Sequence, residues 1–354
     1  MPLPRRDPNV TFGIPPSPLL GRQPRAARIG ALALTCVVGS LVYVPVAHAG
    51  TLRCNGSAAL CARSLGDVAF ATAHNAMASS ADGFVPPNQG HTIAQQLRDG
   101  IRGFQIDVYP GSRRDGRVYT DLEGSLDKRA ADLPARYVTL ATRLHRSLGA
   151  PAAGTPTDVY LCHTFCELGA TKMADVAHDL RTFLDGHPHD VLVAVIEDYV
   201  SPERTRDVLR AAGLERTLVP VPADARLPTL GDMIRDDHRL LVMLENGDGG
   251  STMPNAFAGL VQETPFTFLQ ASALRQSQSC VPNRGGTTGP IFQFNHWVTP
   301  AGPRRAKLVN GAVLRRRVAT CQRQRGRRPT LVAVDFAERS DVIDVVRDLN
   351  RGAL

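Results

Sequence analysis

Apolar residues in this chain gather in short runs that end in polar, chemistry-bearing side chains. Val68–His74, Gly103–Tyr109, Asp158–His163, Val191–Glu197, Leu218–Val221, Arg239–Glu245, Ile291–His296 and Leu331–Phe336 read as strands. Leu218–Val221 is the shortest of them and is bracketed by prolines, which remove ladder donors. Helical patterns lie between several of the runs. Thr92 can cap a helix over Ile93–Leu97 that Gly100 ends, and Met173–Leu184 repeats apolar residues every three or four positions. Pro202 follows Ser201 as a helix start reaching Ala212, and Asp341–Leu349 closes the chain as a helix.

Strands alternating with helices predict a parallel sheet. Eight strands with polar groups on one edge favour a closed (β/α)8 barrel, whose chemistry collects at the C-terminal strand ends. No Gly-x-Gly-x-x-Gly follows the first strand, which argues against a dinucleotide-binding sheet. Residues 110–157 are too long for one crossover and are expected to hold a helix over Leu133–Leu148. Residues 246–290, rich in Gly, Ser, Thr and Gln, read as a long loop over the strand ends that shapes substrate access.

Residues 1–49 stand apart. Five arginines and Asp7 precede an apolar stretch from Ile29 to Val46, and Ala47-His48-Ala49 offers small residues where a signal peptidase cuts. This predicts a secretory leader, with an uncleaved membrane anchor as the alternative, ahead of one catalytic domain over 50–354. The protein is therefore expected to be secreted or extracellular. Removing that leader takes away Cys36 and leaves six cysteines, an even number that suits a disulfide framework. Pairing by proximity gives Cys54–Cys61 and Cys162–Cys166 and leaves Cys280 with Cys321. No Cys-x-x-Cys pair occurs, which weakens a zinc reading.

The formal charge is +8, of which the leader, with five arginines against one acid, carries half. Arg304 to Arg328 holds ten Arg or Lys and no acid. A solvated helix face with a basic loop is the first reading, and an anionic membrane surface the second. Nucleic acid is not expected as a partner of an exported chain. A monomer is expected. His91, His145, His178, His187, His189 and His238 lie in polar stretches and read as solvent-facing.

Four elements carry the candidate chemistry: His74-Asn75, Gln105-x-Asp107, His163 and Glu197. Strand alternation points Gln105 and Asp107 the same way. Asn75, Gln105, Asp107 and Glu197 offer oxygen donors, which suit Ca²⁺ or Mg²⁺. Two histidines beside such an ion can trade a proton as acid and base. Asp335 closes the last strand, where a carboxylate can orient a catalytic histidine. Trp297, the one tryptophan, either touches lipid or covers the barrel mouth.

Thr72-Ala-His74-Asn75, Gly100-Ile-Arg102-Gly103-Phe-Gln105-Ile-Asp107, Cys162-His163-Thr164 and Ile196-Glu197 resemble the catalytic X region of phosphatidylinositol-specific phospholipases C, over about residues 64 to 345. The resemblance implies a distorted TIM barrel that cleaves a phospholipid phosphodiester at a membrane surface. The headgroup hydroxyl attacks phosphorus and diacylglycerol leaves. His74 would protonate the leaving group, and His163 would steady the phosphoryl oxygens. Asn75, Gln105, Asp107 and Glu197 would hold calcium. Gln105 stands where calcium-dependent members carry an acid, so affinity is expected to be weak, on the order of 10⁻⁴–10⁻³ M. Glu245 stands where related enzymes carry basic groups for headgroup phosphates. The alternatives are a phosphodiesterase for another lipid or a glycerophosphodiester, or a barrel that binds surfaces without turnover.

Overall fold

The computed structural model describes residues 52–120, 133–152 and 155–354. The expected leader lies outside the described residues. In chain order the strands and helices are β1 (Phe70–Ala73), α1 (Ile93–Asp99), β2 (Gly103–Arg114), β3 (Arg117–Thr120), α2 (Ala135–Leu148), β4 (Asp158–Leu161), β5 (Thr171–Lys172) and α3 (Met173–Gly186). There follow β6 (Leu192–Asp198), α4 (Pro202–Ala211), α5 (Leu230–Arg235), β7 (Leu240–Leu244), β8 (Val261–Glu263), β9 (Ile291–His296), α6 (Pro303–Val309), α7 (Ala312–Arg325), β10 (Leu331–Val334) and α8 (Val342–Arg351).

Seven strands run parallel in the order β8-β9-β10-β1-β2-β6-β7. The first strand thus pairs with the last, as a barrel requires. The ring is distorted and not closed: among the described residues β7 and β8 share no ladder. Between them, Leu244 N donates to Pro254 O at 2.9 Å and Ala256 N to Leu244 O at 2.7 Å, so residues 254–256 line the end of β7. The fold is α/β, a distorted (β/α)8 barrel.

Three expectations change. Leu218–Val221 is not a strand: Leu218 forms a single bridge to Leu240, and Pro220 and Pro222 cannot extend it. Asp158–His163 supplies β4, which pairs antiparallel with the far half of β2 and forms a side sheet with β3 and β5. The seventh parallel strand is β8, three residues long, inside the stretch read as loop. It is held by its ladder to β9.

Alternation explains the two apolar layers. Phe70, Val193, Val195, Leu241, Met243, Val261, Ile291 and Leu331 share an inner cluster. Ala71, Phe104, Ile106, Ala194, Ile196, Val242, Phe294 and Val332 form the outer one with Leu97 of α1, Leu180 of α3, Leu314 of α7 and Val345 of α8. The inward register continues along each strand into Asp107, Glu197, Glu245, Glu263, Asn295 and Asp335, so the barrel is apolar at its base and polar at its C-terminal mouth. Thr72 faces Gly103 across β1 and β2, where an added Cβ would lie 2.2 Å from Thr72 Oγ1.

The helices follow local rules. Thr92 and Gln95 form a reciprocal capping box on α1, with bonds of 3.2 and 2.9 Å, and Gly100 ends the helix at φ +102°. The three expected disulfides, Cys54–Cys61, Cys162–Cys166 and Cys280–Cys321, are present. The basic tract fits the solvated-face reading in part, with Arg304, Arg305, Lys307, Arg316 and Arg323 exposed. It forms α6 and α7, and Arg317 is buried, donating to Asn295 O and Ser279 O at 2.5 Å each. Arg325 binds Gln262, and Arg315 pairs with Asp341 and Asp348.

Candidate active site

His74 follows β1 directly, its N–H still bonded to Val334 O at 3.0 Å. The chain then turns at Asn75, held at φ +43°, a conformation asparagine tolerates better than most residues. His74 Nδ1 lies 2.9 Å from Asp335 Oδ1, which also accepts from Asn88 Nδ2 at 3.1 Å. The Trp297 indole stacks flat on the imidazole, with centroids 3.6 Å apart and planes 5° apart. Trp297 is 5% exposed, so it walls the mouth and does not reach lipid. Tautomer and ring plane of His74 are thereby fixed, leaving Nε2 for the cleft.

His163 sits inside the Cys162–Cys166 disulfide, next to Thr164 at φ +66°. Its Nε2 lies 3.3 Å from Asn75 Nδ2, and its buried Nδ1 has no hydrogen-bond partner. Burial first, and the nearby His74 second, lower its pKa to about 4, so it is neutral at neutral pH. Its loop is anchored by Glu167, a buried carboxylate that accepts from Thr120 N at 2.8 Å and Thr120 Oγ1 at 2.5 Å. His145 meets the same carboxylate at 2.8 Å and stacks on Tyr119. His145 is therefore a half-buried anchor, not the solvent-facing residue its polar neighbours implied.

Asp107 and Glu197 are direct register partners on β2 and β6, and Glu245 N bonds to Ile196 O, bringing a third carboxylate alongside. The Tyr199 hydroxyl donates to Glu197, and its ring stacks on Tyr109. Burial first, then Asp107, raises the Tyr109 pKa and keeps the phenol neutral. Gln105 donates through Nε2 to Asn295 Oδ1 at 3.3 Å, while its buried Oε1 has no partner.

Arg284 bridges that third carboxylate to a fourth, donating to Glu263 Oε1 at 2.6 Å and Glu245 Oε2 at 2.5 Å. The guanidinium lies 4.0 Å from the Phe257 ring centroid and 5.1 Å from that of Phe266. Burial would lower its pKa, but the bond to Glu263 and the charge of Glu245 outweigh it and raise the value. Glu245 itself is raised, by burial first.

His74, Asn75, Gln105, Asp107, His163, Glu197 and Asp335 all line one cleft of about 220 Å³. Among the described residues no three His, Cys, Asp or Glu side chains converge as a metal-binding group. The donors that could hold a cation are two neighbouring carboxylates, Asp107 and Glu197, with amide oxygens of Gln105 and Asn75 in the same cleft. The unpartnered Gln105 Oε1 suits a hard, oxygen-seeking ion such as Ca²⁺. Sequence reasoning missed Asn88, Tyr199, Glu263 and Arg284. Glu263 and Arg284 lie in the Gly- and Ser-rich stretch, where no periodic signal marks them.

Residues 140–350, more than half of the chain, match the profile of the PI-PLC X 1 family. That span holds His163, Glu197 and Asp335, while His74, Asn75, Gln105 and Asp107 precede it. A PI-PLC X domain-containing protein of Arabidopsis thaliana is 23% identical over 280 residues, 75% of this chain; the match spans 55% of the plant protein. PI-PLC X domain-containing protein 1 of Arthroderma benhamiae is 24% identical over 347 residues, covering 91% of this chain and 96% of its own. The solved phosphatidylinositol-specific phospholipase C from Listeria monocytogenes superposes with a TM-score of 0.49 at 14% identity, covering 82% of this chain and 97% of that one. The chain belongs to the PI-PLC X family.

Proposed function

We propose that this protein is an extracellular phosphodiesterase that splits a phosphoinositide-type lipid into diacylglycerol and a cyclic headgroup phosphate. The observation that carries the reading is the Asp335–His74 pair sharing one cleft with His163 and the Asp107–Glu197 carboxylates. The headgroup hydroxyl attacks phosphorus, and the bond to the glycerol oxygen breaks. His74, oriented by Asp335, delivers a proton from Nε2 to that leaving oxygen, and the proton that the attacking hydroxyl loses restores it. A phosphoryl oxygen would take the place of the Asn75 contact at His163 Nε2, where the neutral ring in its Nε2–H tautomer donates to the developing charge. Trp297 holds the His74 plane, and Asn75 positions His163.

Asn75, Gln105, Asp107 and Glu197 would hold Ca²⁺. Bound there, the ion would lower the pKa of the attacking hydroxyl and offset phosphate charge. An anionic diester entering a cleft lined by Asp107, Glu197, Glu245, Glu263 and Asp335 needs such an offset. Arg284 does not supply it, because Glu245 and Glu263 already answer its charge. That same pairing favours a headgroup without extra phosphates. Three disulfides fit an oxidising, extracellular setting.

The test is turnover of phosphatidylinositol vesicles with calcium and with chelator. Diacylglycerol release that stops with chelator, and that is lost in His74→Ala, supports the reading. Release unaffected by chelator removes the calcium, and full activity in His74→Ala overturns the mechanism. If phosphatidylinositol is not cleaved in either condition, the headgroup assignment fails.

A further inference from the structure

His74 and Asp335 each stand just before a non-glycine residue in the left-handed region, Asn75 at φ +43° and Phe336 at φ +48°. Such turns persist only where neighbouring groups hold them. One dipeptide, Asn88-Gln89, reaches both. The fully buried Gln89 amide donates through Nε2 to His74 O at 2.7 Å and Val334 O at 3.1 Å, and its Oε1 accepts from Ala337 N at 3.0 Å. Asn88 O accepts from Phe336 N at 2.8 Å. The loop that presents the dipeptide is closed on itself. Ala78 O accepts from Asn88 N at 2.8 Å and Gln89 N at 3.1 Å, and Gln96 of α1 donates to Ala76 O and His91 O at 2.7 Å each.

The Asn88 side chain adds a second hold. Its Nδ2 donates at 3.1 Å to the same Asp335 Oδ1 that meets His74. Turned over, the amide would set two acceptor oxygens at that distance, so the donor faces Asp335. Asn88 is 2% exposed, and its Oδ1 has no hydrogen-bond partner among the described residues, so the side chain gives up one bond to make the other. We infer that Asn88 and Gln89 are positioning residues for proton transfer at His74. Gln89 holds the ends of β1 and β10 at the separation where imidazole and carboxylate meet. Asn88 fixes the carboxylate oxygen that receives the His74 Nδ1–H. The inference rests on His74 and Asp335 acting as the acid pair of the phosphodiesterase reading.

Proton NMR of the full chain, with steady-state kinetics on phosphatidylinositol, tests it. The His74 Nδ1–H bonded to Asp335 gives a downfield ring-proton resonance, identified by its loss in Asp335→Asn. The His145–Glu167 pair gives a second, which neither Asn88 nor Gln89 bonds, and it reports whether the fold is intact. Asn88→Leu keeps the branched shape and loses the donor. Gln89→Glu keeps the acceptor for Ala337 N and loses both donated bonds. Each variant should shift or broaden the His74 resonance and leave that of His145 in place. In each, kcat should fall about 10- to 100-fold with KM within about twofold of wild type. An unmoved His74 resonance, equal disturbance of both resonances, an unchanged kcat, or a loss carried wholly by KM overturns the inference. If the wild type cleaves no diester, the phosphodiesterase reading fails, and the resonances alone decide whether Asn88 and Gln89 hold the pair.

Discussion

His74, His163 and His296 each close or follow an apolar run, and their surroundings divide them. His74 keeps a carboxylate at Nδ1 and an indole on its face. Asp335→Asn should reduce turnover about 100-fold or more at near-constant KM, because an amide no longer selects one tautomer. Steady-state kinetics on the chosen diester decide it. His163 is depressed to about 4, by burial and then His74. His296 is depressed to about 3, by burial and then Arg317. Both folded values lie below the free value of about 6.5, so the unfolded chain takes up these protons first. Their contribution to stability is present above about pH 6.5 and is lost as pH falls toward 4 and then 3. Melting midpoints should therefore fall between neutral and acidic pH, and His296→Gln should flatten that slope; a midpoint indifferent to pH would refute neutral burial. His74 and His163 were legible because each ends an apolar run. Trp297 was legible as a cover of the mouth, but its stacking on His74, like the bond of Asn88 to Asp335, is set by folding alone.

Strands and loops set the next level. Period-two alternation placed Gln105 and Asp107 on the inner face, and the β2–β6 register put Asp107 opposite Glu197. The short β8 was hidden because its ladder to β9 defines it, whereas Leu218–Val221 has apolar residues but lacks donors at Pro220 and Pro222. The loop carrying His163 is pinned twice, by the Cys162–Cys166 disulfide and by the Thr120–Glu167–His145 anchor. Replacing both cysteines by serine should lower kcat by about 10- to 100-fold with KM little changed, since the imidazole shifts while the remaining cleft persists. An unchanged kcat would assign positioning to Glu167 and its partners alone.

Across the whole barrel, polarity rises from an apolar base to an acidic mouth, and one divalent cation would relieve that mouth. With an affinity near 10⁻⁴–10⁻³ M, calcium at about 10 mM should raise the unfolding free energy by about 1–3 kcal/mol. Glu197→Gln should abolish the increment. Thermal or denaturant unfolding with and without calcium measures it, and equal shifts in both proteins would remove the proposed ligand set. The α/β class, most of the parallel strands, the helix caps, the Cys54–Cys61 and Cys162–Cys166 pairs and the edge that carries the cleft residues were local properties, written in periodicity, capping residues and spacing. The open seam between β7 and β8, the side sheet on β2, the buried Arg317 and the Glu245–Arg284–Glu263 bridge were not. They join residues far apart in the chain, and only the packing of the barrel decides which distant carboxylate a buried arginine meets.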